Sequence, residues 1–360
     1  TLTKPKPLVP FCNIPMILHQ ILALADCGVT EIIFLMSRES AHLKEECKAW
    51  TKTFGVQFSF CYEETPLGTA GPLQQASELG LLDISAEEPF FLLNSDIICE
   101  YPFRKLLNKH REVAGEATLL ITQVSQWSRY GVVQYDEHTG IIHDFIEKPS
   151  TFVGDRINAG IYVLQPKIIR RIPPGKCSIE REVFPAVASA KALFCTELKG
   201  MWMDVGNPID FLDAIPLYAD LLARESVCPR ISSTLSPMIL NETDTDLPCT
   251  IIGRNVIDPT SKIHPDAVIG PNVTISSGCE IQKGARLEHC VVLSGTSVHE
   301  SACVTRSILG WNCSIGRWAH CINGVLGEDV QVGDRCIING VRALPHVLLS
   351  SSIFDPQILM

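Results

Sequence analysis

The sequence predicts an α/β domain with a mostly parallel sheet, followed by a left-handed parallel β-helix. Strand-like and helix-like segments alternate from Pro15 to about Arg224, which is typical of strands covered by helices. Beyond residue 250, aliphatic residues recur at every sixth position. A length of 360 residues also favours two domains. We therefore predict an α/β domain over 1–224, a linker over 225–249, and a β-helix domain with a C-terminal tail over 250–360.

The first half contains clear helix and strand signals. Met16–Cys27 places its apolar residues on one face and is followed by Gly28, which predicts a helix. Glu31–Met36 and Phe90–Leu93 are short apolar runs and predict buried strands. In open α/β sheets, ligands bind beyond the carboxyl ends of the strands. Asp96, which follows Phe90–Leu93 within Asn94-Ser95-Asp96, is therefore well placed for a ligand.

The second half is a hexapeptide repeat. Residues 225–249 are rich in Ser, Thr, Pro and acidic residues, which predicts little regular structure. The aliphatic residues that follow at period six are Ile251, Ile257, Ile263, Ile269, Ile275, Ile281, Leu287 and Leu293. Such repeats point the apolar residue into a triangular prism of stacked short strands. The frame slips near Val298, and we expect loops to protrude there. We also expect the exposed edges of the prism, with Trp311 and Trp318, to support self-association.

Composition excludes several classes of protein. The net charge of −10 argues against a nucleic-acid binder, which normally shows a basic face. No apolar run is long enough to span a membrane. The fifteen cysteines form no CxxC pair or zinc-type cluster. Cys12, Cys61, Cys195 and Cys279 lie in apolar segments, so we expect buried thiols, a reducing compartment and a cytoplasmic location.

Two segments place a carboxylate next to apolar residues, namely Leu92–Asp96 and Trp202–Gly206. Mg²⁺ takes oxygen ligands, usually one or two carboxylates plus phosphate oxygens. Convergence of Asp96 and Asp204 would therefore favour a metal-phosphate site. Each residue also has a structural alternative: Asp96 as a helix N-cap, and Asp204 as a cap or an ion-paired residue of the core.

Three further segments carry polar groups suited to a ligand. In Phe145–Pro149, Glu147 and Lys148 are adjacent, and strand geometry predicts opposite directions rather than an ion pair. Just beyond a strand end, both could reach one ligand, or they could form a solvated turn. Leu67–Pro72 is Gly-rich and precedes a predicted helix, so a ligand could approach its backbone. Thr1–Pro7 holds two lysines among prolines, which favour extended backbone and could aim a lysine at a phosphate.

Taken together, these segments resemble the sugar nucleotidylyltransferase family over nearly all 360 residues, and especially its GDP-mannose-forming branch. The motifs occur in the family's order and spacing, and the chain ends in DPQILM; the motifs are PKPLVPFCN, PLGTAGPL, LNSDI, RYGVV, IEKP, INAGIY, SIEREVFP and MWMDVG. The resemblance implies a Rossmann-like nucleotidyltransferase domain before the β-helix. It also implies that GTP and mannose 1-phosphate react to give GDP-mannose and pyrophosphate, with Mg²⁺ as cofactor.

The resemblance also implies roles for individual residues. Asp96 and Asp204 would hold Mg²⁺, and Lys148 would bind the mannose phosphate. Glu147, Asn158 and the backbone of Gly131 would line the sugar pocket. Lys6 would face the departing pyrophosphate. The remaining implied substrate-binding residues are Asn94 and, against guanine and ribose, Gly68, Thr69 and Ala70.

The sequence departs from the family at two places. The family opens with a strand and a Gly-rich phosphate loop before the PKP segment; Thr1 begins after that point, and we expect the living protein to carry the loop. Family members usually have Lys where Ile14 stands, so a phosphate or sugar contact could be weaker here.

This functional hypothesis has three alternatives. The protein could be a non-catalytic regulatory subunit that binds GDP-mannose, or an enzyme for another sugar phosphate. It could also be an acyltransferase that uses His264, His299 or His320 of the β-helix. We expect a homo-oligomer or a complex with a homologous regulatory subunit.

Overall fold

The computed structural model describes residues 3–37, 40–224, 229–235, 238–244 and 249–360. The chain forms two compact units: Ile21–Trp202, and Thr1–Gln20 together with Met203–Met360. The helices are α1 (Met16–Asp26), α2 (Ala41–Phe54), α3 (Gly71–Glu78), α4 (Phe103–Val113), α5 (Phe184–Ser189), α6 (Pro208–Ala223) and α7 (Pro229–Leu235). The strands before the repeat are β1 (Pro10–Phe11), β2 (Ile14–Pro15), β3 (Glu31–Met36), β4 (Gln57–Tyr62), β5 (Phe90–Leu93), β6 (Ile97–Cys99), β7 (Ala117–Gln123), β8 (Gly131–Tyr135), β9 (Ile142–Glu147), β10 (Arg156–Leu164), β11 (Leu193–Leu198), β12 (Trp202–Asp204) and β13 (Ile239–Asn241).

Strand β10 is the centre of the main sheet in the unit Ile21–Trp202. One edge of β10 pairs with β7, and the other pairs first with β8 and then with β5. Strand β11 continues the sheet parallel to β7, whereas the ladders of β10 and the β8–β9 pair are antiparallel. Strands β3 and β4 form a separate parallel pair. The α/β fold is thus confirmed, and its antiparallel part arises because β8, β9 and β10 follow one another without an α-helix between them.

The core of this unit is apolar, as the strand signals predict. Strands β7 and β10 are buried over most of their length, and α5 packs on the sheet through Phe184 and Val187. The cysteines expected to be buried, Cys12, Cys61, Cys195 and Cys279, are all buried free thiols. Burial raises the pKa of Cys12 and Cys195 to about 12. Within the described ranges, no helix has both the length and the apolar character that crossing a membrane requires.

The second half is a β-solenoid of parallel strands, as the hexapeptide repeat predicts. Its three faces are sheets in which each strand pairs with the strand one coil later. The aliphatic residues of the repeat from Ile251 to Leu287 line the interior in one buried cluster, with Ile263 partly buried against it. The solenoid strands are β14 (Thr250–Ile251), β15 (Arg254–Ile257), β16 (Lys262–Ile263), β17 (Val268–Ile269), β18 (Thr274–Ile275), β19 (Glu280–Ile281), β20 (Arg286–Glu288), β21 (Val291–Val292), β22 (Ser297–Val298), β23 (Cys303–Thr305), β24 (Ile308–Leu309), β25 (Ser314–Ile315), β26 (His320–Ile322), β27 (Val325–Leu326), β28 (Gln331–Val332), β29 (Ile337–Asn339), β30 (Arg342–Ala343), β31 (Leu348–Leu349) and β32 (Ile358–Leu359).

The frame of the repeat shifts differently from the prediction. Partners in β17 and β20 are 18 residues apart, as in Val268 and Arg286, whereas later coils repeat after 17, as in Val291 and Ile308. The interior residue after Leu287 is therefore Val292 instead of Leu293. One corner is a residue shorter in every later coil, so the slip recurs regularly and reflects no protruding loop. A six-residue count cannot detect a coil built from sides of six, six and five residues.

The segment 225–249 has more regular structure than its composition predicts. Helix α7 lies in its described part, and β13 pairs antiparallel with β15 at the start of the solenoid. Residues 225–228, 236–237 and 245–248 of the predicted linker lie outside the described residues. Strand pairing with β15 supplies hydrogen bonds that a Ser- and Thr-rich composition does not reveal.

A buried histidine joins two parts of the unit that contains the solenoid. His19 Nε2 is 2.9 Å from the carbonyl oxygen of Phe11, and His19 Nδ1 is 2.9 Å from the hydroxyl of Tyr218 on α6. Nε2 therefore donates to Phe11, and Nδ1 accepts from Tyr218. His19 is fully buried, and burial lowers its pKa to about 4. His110, fully buried in the other unit beside Thr118, also has a pKa lowered to about 4 by burial.

We expect these two histidines to make the fold acid-sensitive. Each binds a proton in the unfolded chain below pH about 6.5 but stays neutral in the folded chain until about pH 4. The unfolded state therefore binds more protons across this window, so the free energy of unfolding falls as the pH falls. The loss between pH 7 and pH 5 should be about 2 kcal/mol per histidine, measured by urea denaturation. His19→Asn should remove its share of the pH dependence, whereas His138→Asn, at an exposed turn, should not; equal slopes in both variants would contradict the assignment.

The loop before α3, residues 67–70, is held by the chain around Cys177. The Ala70 N–H donates to the Cys177 carbonyl at 3.0 Å, and the Cys177 N–H donates to the Leu67 carbonyl at 2.9 Å. Gly68 between them has φ +78°, and a Cβ atom there would lie 2.5 Å from the Cys177 carbonyl oxygen. Both the left-handed backbone and the close approach therefore require glycine at position 68.

Comparison of Gly68→Ala with Gly80→Ala should separate these two constraints. Gly80 has φ +70°, but a Cβ atom there would meet nothing within 4 Å. Both variants should lose about 1 kcal/mol for the left-handed backbone. Gly68→Ala should lose at least about 1 kcal/mol more in urea denaturation, because a backbone oxygen must move. Equal losses in the two variants would show that the 67–70 loop tolerates displacement from Cys177.

Candidate active site

Two of the predicted site residues, Glu147 and Lys148, form an ion pair at the end of β9. Lys148 Nζ lies 3.3 Å from Glu147 Oε1; the lysine side chain is 57% exposed and the glutamate side chain 15% exposed. The expectation that they point in opposite directions is wrong, because β9 ends at Glu147 and Lys148 has φ +49°. The Lys148 N–H donates to the Tyr130 carbonyl at 3.1 Å, which holds this turn. The strand end thus presents both charges together.

Gly131 lies opposite this pair on the neighbouring strand. It is the register partner of Glu147 in the β8–β9 ladder. A Cβ atom at Gly131 would lie 2.7 Å from the Phe145 ring and 2.9 Å from Glu147 Oε2. The missing side chain therefore leaves room for the Phe145 ring and the Glu147 carboxylate beside the strand, and Gly131 itself is buried.

Asn158 lies at an irregularity of β10. The register between β10 and β7 shifts between Asn158 and Tyr162, and Gly160 inside this bulge has φ +72°. Asn158 Nδ2 donates to the Tyr162 hydroxyl at 2.8 Å, and Asn158 Oδ1 accepts from the Gly160 N–H at 2.9 Å. One amide hydrogen and one oxygen lone pair of Asn158 therefore remain for a ligand. Bulges are common beside active sites because they redirect side chains.

Asn94 packs against the same bulge. Its N–H donates to the Gly160 carbonyl at 2.9 Å, and a Cβ atom at Gly160 would lie 2.7 Å from Asn94 Nδ2. Asp96, two residues further on, is half-buried in the turn between β5 and β6. The helix N-cap alternative for Asp96 is wrong, because a strand follows it and α4 begins only at Phe103.

Two predicted site residues, Asp204 and Lys6, belong to the unit that contains the solenoid. Asp204 ends β12 and is half-buried; its Oδ1 accepts from the Gly206 N–H at 2.8 Å. It is not the cap of α6, which is Asn207. Lys6 lies in a short 3₁₀ turn, Lys6–Leu8, rather than in the extended backbone expected from its prolines. Thr1 and Leu2 of that segment lie outside the described residues.

The metal site stays a prediction. Among the described residues, no three or more His, Cys, Asp and Glu side chains cluster in a way that could hold an ion. The expected Mg²⁺ site needs only two carboxylates, with phosphate oxygens completing the shell. Ile14, where the family usually has Lys, is 2% exposed in β2, so an apolar core side chain occupies this position.

The predicted nucleotide loop, residues 67–70, has a partner that sequence reasoning missed. The Thr69 hydroxyl accepts from the Ile179 N–H at 2.9 Å and donates to Glu180 Oε2 at 2.5 Å. Ile179–Val183 forms a single π-helical turn capped by the Ser178 hydroxyl. SIEREVFP was recognised as a motif without a role for Glu180. The contact joins residues 111 positions apart in the chain, and a linear motif carries no signal for it.

The histidines proposed for acyl transfer have ordinary structural surroundings. His299 Nδ1 is 3.2 Å from Gln282 Oε1, and His299 Nε2 is 3.1 Å from the Ser314 hydroxyl. His264 Nδ1 accepts from the Asp266 N–H at 3.1 Å. Both nitrogens of His299 are thus bound within the solenoid.

Of the two tryptophans expected at an interface, Trp318 is 59% exposed, whereas Trp311 is only 9% exposed.

Comparisons with known proteins identify the family of the chain. The family model described as Nucleotidyl transferase matches residues 1–220, and the model described as GMPPB C-terminal domain matches residues 251–359. The chain is 45% identical to a Dictyostelium discoideum protein, and 42% identical to a Danio rerio protein, each named mannose-1-phosphate guanylyltransferase catalytic subunit beta. Both alignments cover 100% of this chain and 95% of the relative.

A solved structure supports the fold. It is a Bacillus anthracis protein provisionally assigned as a glucose-1-phosphate thymidylyltransferase, in complex with sucrose. The TM-score is 0.53 at 21% identity, over 59% of this chain and 86% of that one.

Family models match both halves of the chain, and the relatives align over its whole length. The chain is therefore a member of the nucleotidyltransferase family with a β-solenoid C-terminal domain.

Proposed function

We propose that this enzyme transfers GMP from GTP to mannose 1-phosphate, giving GDP-mannose and pyrophosphate. The observation that carries the proposal is the Glu147–Lys148 pair beside Gly131 and the Asn158 bulge. This pair supports the proposal because an ammonium group suits a sugar phosphate, and the carboxylate and the Asn158 amide suit sugar hydroxyls. The names of the full-length relatives support guanosine and mannose as the substrates.

The reaction is a direct displacement at phosphorus. A phosphate oxygen of mannose 1-phosphate attacks the α-phosphorus of GTP, and the bond between that phosphorus and the oxygen bridging to the β-phosphate breaks. Pyrophosphate leaves with the bonding electrons, and no group is transferred to the protein. Catalysis of this kind depends mainly on alignment and on neutralisation of phosphate charge.

Lys148 would hold the sugar phosphate. Its side chain is more than half exposed, so its ammonium can turn from Glu147 to a bound phosphate. A compact ammonium group suits this role as a point charge. Glu147, which is mostly buried, would then accept hydrogen bonds from mannose hydroxyls, with the Asn158 amide and the Gly131 backbone as further partners.

The remaining predicted residues complete the proposal. Gly68 and Ala70 would lie against guanine and ribose, and Lys6 would face the departing pyrophosphate. Enzymes of this family generally use a divalent cation. The half-buried carboxylates Asp96 and Asp204 are oxygen donors of the kind Mg²⁺ prefers, and we assign the ion to them. When bound, the ion would neutralise phosphate charge.

The assembly remains part of the proposal. We propose a homo-oligomer, with a homologous regulatory subunit as a further partner. The exposed Trp318 and the edges of the solenoid are surfaces on which such association could occur. We also propose a cytoplasmic location, because the cysteines that the structure describes are free thiols.

The first test is pyrophosphate release by the full-length protein. GTP, mannose 1-phosphate and Mg²⁺ together should give release, and EDTA should abolish it. ATP or glucose 1-phosphate in place of the cognate substrate should give much slower release. A folded protein that releases pyrophosphate with none of these pairs would favour the regulatory subunit instead.

Lys148→Met should lower kcat/KM for mannose 1-phosphate about 100-fold, because an ammonium group aimed at the phosphate is lost while the side chain keeps its length. The matched control is Lys52→Met, at an exposed position on α2, which should leave the kinetic constants unchanged. The KM for GTP should change little in either variant. Full activity of Lys148→Met in steady-state kinetics would remove Lys148 from the proposed site.

A further inference from the structure

The hydroxyl of Thr69 is bound on both sides within the protein. It accepts from the Ile179 N–H and donates to Glu180 Oε2, and the same carboxylate oxygen accepts from the Ser178 hydroxyl at 2.9 Å. Its single donor is used, and one of its two acceptor positions is filled. Thr69 was expected to lie against the nucleotide, but its hydroxyl group is directed to the segment 178–180.

These bonds add to the backbone pairing of the same two segments. The pairing of Ala70 and Leu67 with Cys177 fixes the two ends of the 67–70 loop. Thr69 lies in the middle of this loop and is itself exposed. The bond to Glu180 is charge-assisted, so it is stronger than a bond between neutral groups. The 67–70 loop is thus held at three of its four residues, Leu67, Thr69 and Ala70.

The charge of Glu180 also acts on Tyr162, the residue whose hydroxyl binds Asn158 of the proposed sugar site. Burial and the nearby carboxylates of Glu180 and Glu147 raise the pKa of Tyr162. The Tyr162 hydroxyl accepts from Asn158 Nδ2 at 2.8 Å. Glu180 is therefore bonded to the 67–70 loop through Thr69, and its charge also acts on Tyr162, whose hydroxyl binds Asn158.

We infer that Glu180 and Thr69 are positioning residues that hold the backbone of the 67–70 loop in the conformation that binds the nucleotide. The inference rests on the proposed function, because it takes this loop as the nucleotide loop. The loop then contacts the base and ribose through its backbone groups, while the Thr69 side chain serves the loop itself. Without the hydroxyl, the loop must be ordered when GTP binds, and this cost appears as weaker GTP binding.

The test compares Thr69→Val, Thr69→Ser and Thr53→Val. Valine has the shape of threonine without the hydroxyl, and serine keeps the hydroxyl. Thr53 is an exposed threonine on α2 whose hydroxyl bonds only within the helix, to Ala49, and it serves as the matched control. The measurements are kcat, the KM of each substrate, the Kd of GTP by calorimetry with Mg²⁺, and thermal unfolding, all on the full-length protein.

Thr69→Val should raise the KM and the Kd of GTP about tenfold, with the KM of mannose 1-phosphate within about twofold of wild type. Thr69→Ser should restore most of the GTP affinity, and Thr53→Val should match wild type. Glu180→Gln, which keeps the shape and removes the charge, should raise the GTP constants about threefold and serves if Thr69→Val does not fold.

An unchanged GTP constant in Thr69→Val and Glu180→Gln would overturn the inference. So would equal increases for both substrates, or a serine variant as weak as the valine variant. If wild type binds GTP but releases no pyrophosphate, the proposed reaction fails while the inference is still decided by the Kd values. If wild type does not bind GTP, the 67–70 loop is not a nucleotide loop and the inference falls too.

Discussion

The irregularity of β10 between Asn158 and Tyr162 is the constraint on which the strand arrangement of the unit Ile21–Trp202 depends. Before it, β10 pairs with β8, and after it, the same edge pairs with β5. The bulge therefore brings the end of β5, with Asn94, to the same place as the Asn158 amide. Gly160 is required there because the amide of Asn94 occupies the space of a side chain.

The sequence predicted elements well where local periodicity decides them. The strands Glu31–Met36 and Phe90–Leu93 have the predicted bounds, and the interior of the solenoid contains the aliphatic residues of the repeat through Leu287. The sequence did not predict that Val292, rather than Leu293, is the interior residue after Leu287. The number of residues at a corner depends on the turn between two strands, which a fixed six-residue spacing does not describe. Strand β13 was missed because its partner β15, and not its own composition, makes it a strand.

The candidate site shows a similar division. Residue types at a strand end were enough to single out Glu147 and Lys148, whereas Asn158 was named only through the family resemblance. The contacts of all three were not predictable. The ion pair depends on the left-handed backbone of Lys148, a conformation that a lysine rarely adopts and that sequence gives no reason to expect. The Asp96 alternative as an N-cap failed for a related reason: a capping residue and a turn residue between two strands have the same preferences. Only the following element distinguishes them.

Thr69 and Glu180 show why the conformation of a short motif is difficult to infer from its composition. Gly68, Thr69 and Ala70 are small, and an ordinary surface loop has a similar composition. Their geometry is determined by the chain at 177–180, which supplies a carbonyl, an N–H and a carboxylate. A loop that binds through its backbone can have almost any small side chains, provided that a second segment fixes its conformation. The sequence information that determines the loop conformation is then divided between residues 67–70 and 177–180, which are far apart in the chain. Each segment on its own is explained equally well by ordinary local structure. The pair becomes informative only once the fold brings both segments together.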